Sequence, residues 1–275
     1  MKRTTYIMIG MLMAGVAAIC GVVFYMSLGP TWEDSFMEIG GSRKTVQLPS
    51  CRVVKLEAPV TWKQKRAGIV EAERAYSFRQ VPLTVTSGDS LKGSLSYAGD
   101  MDSFMSVTAE GDTLSILFKF PDDRLEERFR DVKWLKLHSE EMVLALPAGV
   151  QTVLVGTESM ETTFKNLRCD TLSFCVEDLA RVEGCHITSL SAQARTLRFN
   201  SGEVRDLHLN LDEISDWRVN VDSFRIDTEH LSGCYRHSNS LQKGECRQVL
   251  WTPLTENALL QVTMPAGRIE LDARP

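Results

Sequence analysis

Histidine and arginine recur at one position of a degenerate pattern. Ser173, His186, Arg198, His208, Arg218 and Arg225 each lie between two apolar or aromatic residues, and five of the six can carry positive charge. If successive copies stack in register, His186, Arg198, His208, Arg218 and Arg225 form a stripe on one outer sheet. Such a stripe could hold an anionic glycan or a lipid headgroup through charge-assisted hydrogen bonds. The competing reading is a solvated face neutralised by Asp and Glu neighbours.

Six cysteines follow Cys20, at 51, 169, 175, 185, 234 and 246. An even number suits an oxidising compartment, and six allow fifteen pairings. Cys234 and Cys246 flank a polar loop of eleven residues and make the candidate disulfide. Cys169 and Cys185 fall at inward positions, where a thiol serves as a small hydrophobe. His230, Cys234, His237 and Cys246 have zinc-ligating chemistry, but their spacing lacks both a C-x-x-C pair and a regular His pair, so no metal ligand is named. Asp206, Asp212, Glu213, Asp216, Asp222 and Asp227 could supply the two carboxylates of glycoside hydrolysis. They also fall where turns and solvent-facing positions are expected, as Asp favours. With no nucleophile elbow and no glycine-rich phosphate loop, no catalytic residue, cofactor or nucleotide is assigned.

The elements that would position these residues are short strands. From Val150 onward an apolar or small residue is followed by apolar residues three and five places later. The copies are Val150/Val153/Val155, Cys169/Leu172/Phe174, Val182/Cys185/Ile187, Ala194/Leu197/Phe199, Val204/Leu207/Leu209, Ile214/Trp217/Val219 and Val221/Phe224/Ile226. Residues two apart share a face of a strand, so each copy reads as a bend followed by a wall strand with two inward side chains. Two or three such strands closing a coil of roughly 20 to 35 residues would give a β-solenoid or β-helix-like body, whose units bury their faces only by stacking. An antiparallel β-sandwich with short strands is the alternative.

Upstream, Leu114, Ile116, Phe118 and Phe120 alternate as a half-buried strand requires. Further strands are expected to start near Val46, Arg52, Tyr76, Leu83, Leu95, Trp134 and Met142. Between Asp122 and Asp131, Leu125 and Phe129 stand four apart, which predicts a short connector helix capped near Asp122 or Asp123. Leu48-Pro49, Leu146-Pro147 and Met264-Pro265 are expected at the start of new strands.

Residues 7–28 form a run of 22 without a charge, long enough to cross roughly 30 Å of hydrocarbon as a helix. Lys2 and Arg3 precede it while Glu33, Asp34 and Glu38 follow. The positive-inside bias therefore puts residues 1–6 in the cytoplasm and the rest in the periplasm or another extracytoplasmic space. The run is too long for a signal-peptide apolar region and Pro30 follows its best small pair, so a retained single-pass anchor in the lipid bilayer is expected. Residues 29–45 read as a linker, 46–137 as an amino-terminal β region and 138–275 as a repetitive region, with 46–275 open to being one domain. A net charge of −5 with interleaved signs carries no footprint for nucleic acid.

The order of features resembles the auto-transporter adhesin head family of Bacteroidetes, also called GIN domains. Asp112-Thr-Leu-Ser-Ile, then Leu144-Ala-Leu-Pro-Ala-Gly149, then short Leu-x-Phe strands carry the resemblance, over about residues 75–230. It implies a β-solenoid-like envelope protein without known catalytic residues. Members are richer in Gly-Ser or Gly-Asn turns, whereas only Gly184 and Gly202 stand in the corresponding coils here. The expectation is an all-β ectodomain on one amino-terminal transmembrane helix, serving as an envelope interaction or scaffold module with a glycan or protein partner. A carbohydrate-active enzyme of the β-helix type is the alternative.

Overall fold

The structure is a computed structural model and describes residues 3–27, 35–59, 61–64, 70–88, 92–234, 237–240 and 246–263. Beyond an amino-terminal helix the chain is all-β, gathered into a thirteen-stranded curled sheet, a four-stranded sheet and a two-stranded ladder. The expected strands are present at Arg43–Leu48, Val53–Glu57, Val70–Gln80, Leu83–Ser87, Gly93–Ala98, Thr113–Phe118, Trp134–Ser139 and Met142–Leu146. Leu114, Ile116 and Phe118 are fully buried, as their alternation requires.

Where both partners lie beyond residue 150, every described ladder is parallel and joins segments 18 to 23 residues apart. Thr152 pairs with Ser173, Glu161 with Leu179, Leu197 with Trp217, Gly202 with Phe224, Ile226 with Cys246 and His237 with Leu260. A parallel partner cannot be reached through a tight turn, so the chain must travel round before it returns beside itself. The described antiparallel ladders all fall within residues 43–146. An antiparallel sandwich therefore does not describe the later half.

Arg168–Asn210 is one extended run of 43 residues. Straight, it would measure roughly 140 Å at about 3.3 Å per residue, several times the width of a domain this size. It curls instead. Buried and outward residues alternate along it, and the alternation slips at 177–179, 183–184, 188–189, 195–196, 200–203 and 205–206. Each slip is a bend. The +3 step of the repeat straddles a bend, as from Val182 to Cys185, and the following two-residue step runs along the next short wall. Cross-links join residues 17 apart across the curl: the Asn200 side-chain amide donates to Glu183 Oε1 at 2.8 Å, and the Gly184 N–H donates to Ser201 Oγ at 2.9 Å.

Gly202 has φ +123 at one bend, and a Cβ there would run into the backbone of Cys185. The chain passes so close to its previous turn that only glycine fits. Inward side chains of all regions join one apolar cluster. Phe164 stacks on Phe174 with centroids 4.2 Å apart, Phe199 meets Phe224 at 5.1 Å, and Phe78 meets Phe118 at 5.0 Å.

Several expectations need correction. The segment read as a linker carries strand Phe36–Ile39, paired with Trp134–Ser139, and the start of Arg43–Leu48, with Met37 and Ile39 buried. Trp134–Ser139 crosses the expected boundary at 137/138, and the core is continuous across it. The connector helix is Glu127–Arg130, and its cap is Glu126 rather than Asp122 or Asp123. Leu48 and Leu146 are the last residues of their strands, so the prolines after them close strands; Met264-Pro265 lies outside the described residues.

Helix Arg3–Ser27 covers most of the charge-free segment. Among the described residues no helix is long and apolar enough to cross a membrane.

At the other edge, the Lys44 ammonium and the Tyr97 hydroxyl both donate to Asp102, tying strands Arg43–Leu48 and Gly93–Ala98 to the turn between 99 and 103. Lys44, then Tyr97, hold the Asp102 carboxyl below its usual range. Burial, then Asp102, pushes the Tyr97 phenol up to about 12.

Two outcomes follow for stability. Gly202→Ala and Gly184→Ala are both forced into left-handed backbone at about 1–2 kcal/mol, but the Gly202 methyl also runs into the Cys185 backbone whereas that of Gly184 meets the movable Asn166 side chain, so Gly202→Ala should lower the urea midpoint clearly more. The Asp102 contribution is present above the ordinary carboxylate range and is lost as pH falls through its depressed folded value. That of Tyr97 is complete below pH 10 and fades as pH rises toward about 12. Asp102→Asn should therefore flatten both limbs of the melting temperature against pH.

Candidate ligand-binding groove

Neighbouring turns line a groove of about 360 Å³ formed by His186, Ile187, Thr188, Glu203, Val204, Arg205, Arg225 and Asp227, of which Ile187 and Val204 are buried. Register explains the meeting. Glu203 is the ladder partner of Arg225, and His186 stands one turn earlier with Nδ1 3.1 Å from Glu203 Oε1. The row thus reads His186, Glu203, Arg225, with a carboxylate between two bases. Arg225 Nε reaches Asp227 Oδ1 at 3.3 Å, and Arg205 Nε reaches Asp206 Oδ2 at 2.8 Å. His186, Glu203, Arg205 and Arg225 are exposed, so each pair is weak, worth about 0–1 kcal/mol, and open to exchange for a ligand.

The other members of the expected stripe lie elsewhere. Arg198 and Arg218 are ladder partners, and both turn to Asp216, Arg198 Nη2 at 2.6 Å and Arg218 Nε at 3.7 Å. His208 stacks on its ladder partner His230 with centroids 4.3 Å apart and planes at 14°. The stripe is therefore three separate sites, because each bend sends the next short strand to a different wall. Of the five candidates only His186 and Arg225 share the groove.

Glu203, Arg205, Thr188 and Asp227 complete the groove, and the pattern of apolar positions did not single them out as a set. Adding the ladder spacing of 22 residues to Glu203 would have found Arg225 beside it. The carboxylates considered for catalysis are dispersed. Asp206 serves Arg205 and His230, Asp216 serves two arginines, Glu213 accepts from the Gln193 side-chain amide at 3.4 Å, and Asp212 accepts from the Cys234 N–H at 2.5 Å. A different acidic pair is electrically coupled: burial, then Glu177, pushes the half-buried Glu158 carboxyl up. Among the described residues, no group of three or more His, Cys, Asp or Glu side chains could hold a metal ion.

No family model matches the chain, and no curated protein matches it. Several solved structures are similar in outline. A candidate lipid-binding protein from Parabacteroides distasonis shares 9% identity, with 83% of this chain and 100% of that chain covered and a TM-score of 0.41. A candidate adhesin from Bacteroides fragilis shares 9% identity, with 82% and 98% covered and a TM-score of 0.47. A candidate adhesin from Parabacteroides merdae shares 9% identity, with 84% and 100% covered and a TM-score of 0.37. No residue or role is carried over from them.

The thiols differ in access. Cys51 and Cys185 are buried and Cys234 is an exposed free thiol, while the Cys246 side chain lies outside the described residues. Burial pushes Cys169 up to about 11, with Cys185 nearby adding to it. Brief alkylation of the folded protein at pH 8 should mark Cys234 and spare Cys51 and Cys185 until denaturant is added. Failure to mark Cys234 before reduction would instead reveal a bridge to Cys246.

Proposed function

We propose that the chain is a membrane-anchored cell-envelope interaction module that binds a polar glycan in the groove around Arg225. The single observation that carries this reading is the groove itself: two expected binding residues meet there, and its acids and bases alternate in the open. Hydroxyl-rich ligands can both donate to Glu203 and Asp227 and accept from Arg205 and Arg225, exchanging weak ion pairs for charge-assisted hydrogen bonds.

The body reads as a β-solenoid. Supporting this are parallel ladders at a nearly constant spacing of 18 to 23 residues and the 43-residue run that bends around one core. The anchor reading rests on the charge-free run 7–28, the helical backbone of Arg3–Ser27, and the exposure of Met8, Met11, Leu12, Ile19 and Val23 at 60 to 74%. With Lys2 and Arg3 before that run, the β body faces the periplasm or another extracytoplasmic space.

Two experiments test the main reading. Full-length protein in detergent should bind a subset of an anionic and neutral glycan array. Combined His186→Ala and Arg225→Ala should weaken that binding about tenfold or more, a loss of about 1.4 kcal/mol, while Arg198→Ala with Arg218→Ala leaves it unchanged. Equal binding by the groove variant sinks the groove. In cells, the protein should stay with membranes through an alkaline carbonate wash; release into the wash removes the anchor.

A further inference from the structure

The outward side chains of the groove form two rows of three. Ile187, Val204 and Ile226 are buried, so on each of three neighbouring walls the residues on either side of them share the outer face. A Cβ on Gly202 would meet the Cys185 backbone, which puts Cys185 opposite Gly202 and hence His186 opposite Glu203 and Thr188 opposite Arg205. Glu203 pairs with Arg225, Val204 with Ile226 and Asp206 with Thr228, which puts Arg205 opposite Asp227. One row is His186, Glu203, Arg225; the other is Thr188, Arg205, Asp227.

Charge therefore alternates both across and along the last two walls. Glu203 and Asp227 stand on one diagonal, Arg225 and Arg205 on the other, at backbone spacings of about 4.8 Å across the ladder and about 6.6 Å along it. A purely anionic ligand reaches the two arginines but brings its charge beside both carboxylates, and a purely cationic one meets the converse. Such like-charge encounters are the repulsive half of specificity. A neutral glycan displaces Arg225 Nε from Asp227 Oδ1, 3.3 Å away, or His186 Nδ1 from Glu203 Oε1, 3.1 Å away, without returning a charge to any of them. A ligand with both signs replaces each such pair by one of the same kind, a carboxylate in the planar fork of an arginine and an ammonium against a carboxylate.

Resting on the groove reading above, we propose that the glycan bound there is zwitterionic, with neighbouring sugar units that carry a free ammonium and a carboxylate, as when an amino sugar is joined to a uronic acid. The ammonium lies against Glu203 and the carboxylate against Arg225. Arg205 and Asp227 repeat the arrangement in the opposite sense for the next two charged groups along the glycan, and the Thr188 hydroxyl serves the sugar hydroxyls.

The test measures, by calorimetry at pH 6 where amino-sugar amines are protonated, the affinity of full-length protein in detergent for four hexasaccharides. They are N-deacetylated hyaluronan with both charges, intact hyaluronan with carboxylates only, chitosan with ammonium groups only, and neutral cellohexaose. The first should bind at least tenfold tighter than each of the others. Glu203→Gln combined with Asp227→Asn should weaken the first and tighten intact hyaluronan about fivefold, a gain that misfolding cannot produce. Equal affinity for all four, lost together in the His186→Ala, Arg225→Ala variant, keeps the groove and overturns the charge preference; binding of none overturns both. Glycerophosphoethanolamine carries the same two signs, and its displacing the deacetylated hexasaccharide at equal concentration would assign the groove to a lipid headgroup and overturn the glycan.

Discussion

The constraint on which everything else depends is the parallel ladder that repeats about every twenty residues. A single turn of this chain has inward side chains on one side only, such as Leu172 and Phe174 or Leu197 and Phe199, and nothing of its own to cover them. Burying one such side chain is worth about 1.5–3 kcal/mol, and only the neighbouring turn can supply the cover. The spacing is held because a turn of very different length would bring the wrong residue of each side chain pair inward, since register slips of one reverse the faces. Bends, glycines and cross-links then follow as means of keeping each circuit the same size.

Much of this was legible in the sequence, because burial on one face of a short strand leaves a mark in residue type. The alternation of Leu114, Ile116 and Phe118 and the +3/+5 spacing from Val150 onward both report inward positions; those positions are buried except Cys169, Trp217, Val219 and Val221, which are half-buried. The direction each wall faces was not legible. It is set at slips such as 183–184 and 188–189 by polar residues and glycine, which carry no apolar signature. Hence His186, Arg198 and His208, equivalent in pattern, come to lie in three different places. The strand Phe36–Ile39 escaped notice for another reason: it is four residues long and its partner is about a hundred residues away, so no local regularity announces it.

The outer face shows how a repeating scaffold handles repeated charge. Arg198 and Arg218 are ladder partners, and like charges directly opposite destabilise a sheet. Asp216 accepts from Arg198 at 2.6 Å and forms an ion pair with Arg218 at 3.7 Å, which offsets the conflict. In the groove Glu203 lies 3.1 Å from His186 and is the ladder partner of Arg225, which turns to Asp227. These are local and individually weak pairings, yet they let basic residues stand in successive turns without pushing the turns apart.

Gly202 shows what the tightness of the coil implies for the chain's history. Only a hydrogen fits where a Cβ would meet the Cys185 backbone, so this position has almost no latitude. The outward residues Glu203, next to it, and Arg205, three places on, are exposed, Glu203 meeting His186 and Arg205 meeting Asp206. Fixed and variable positions are thus interleaved at single-residue spacing. Outward residues can therefore be exchanged while the frame that presents them stays untouched.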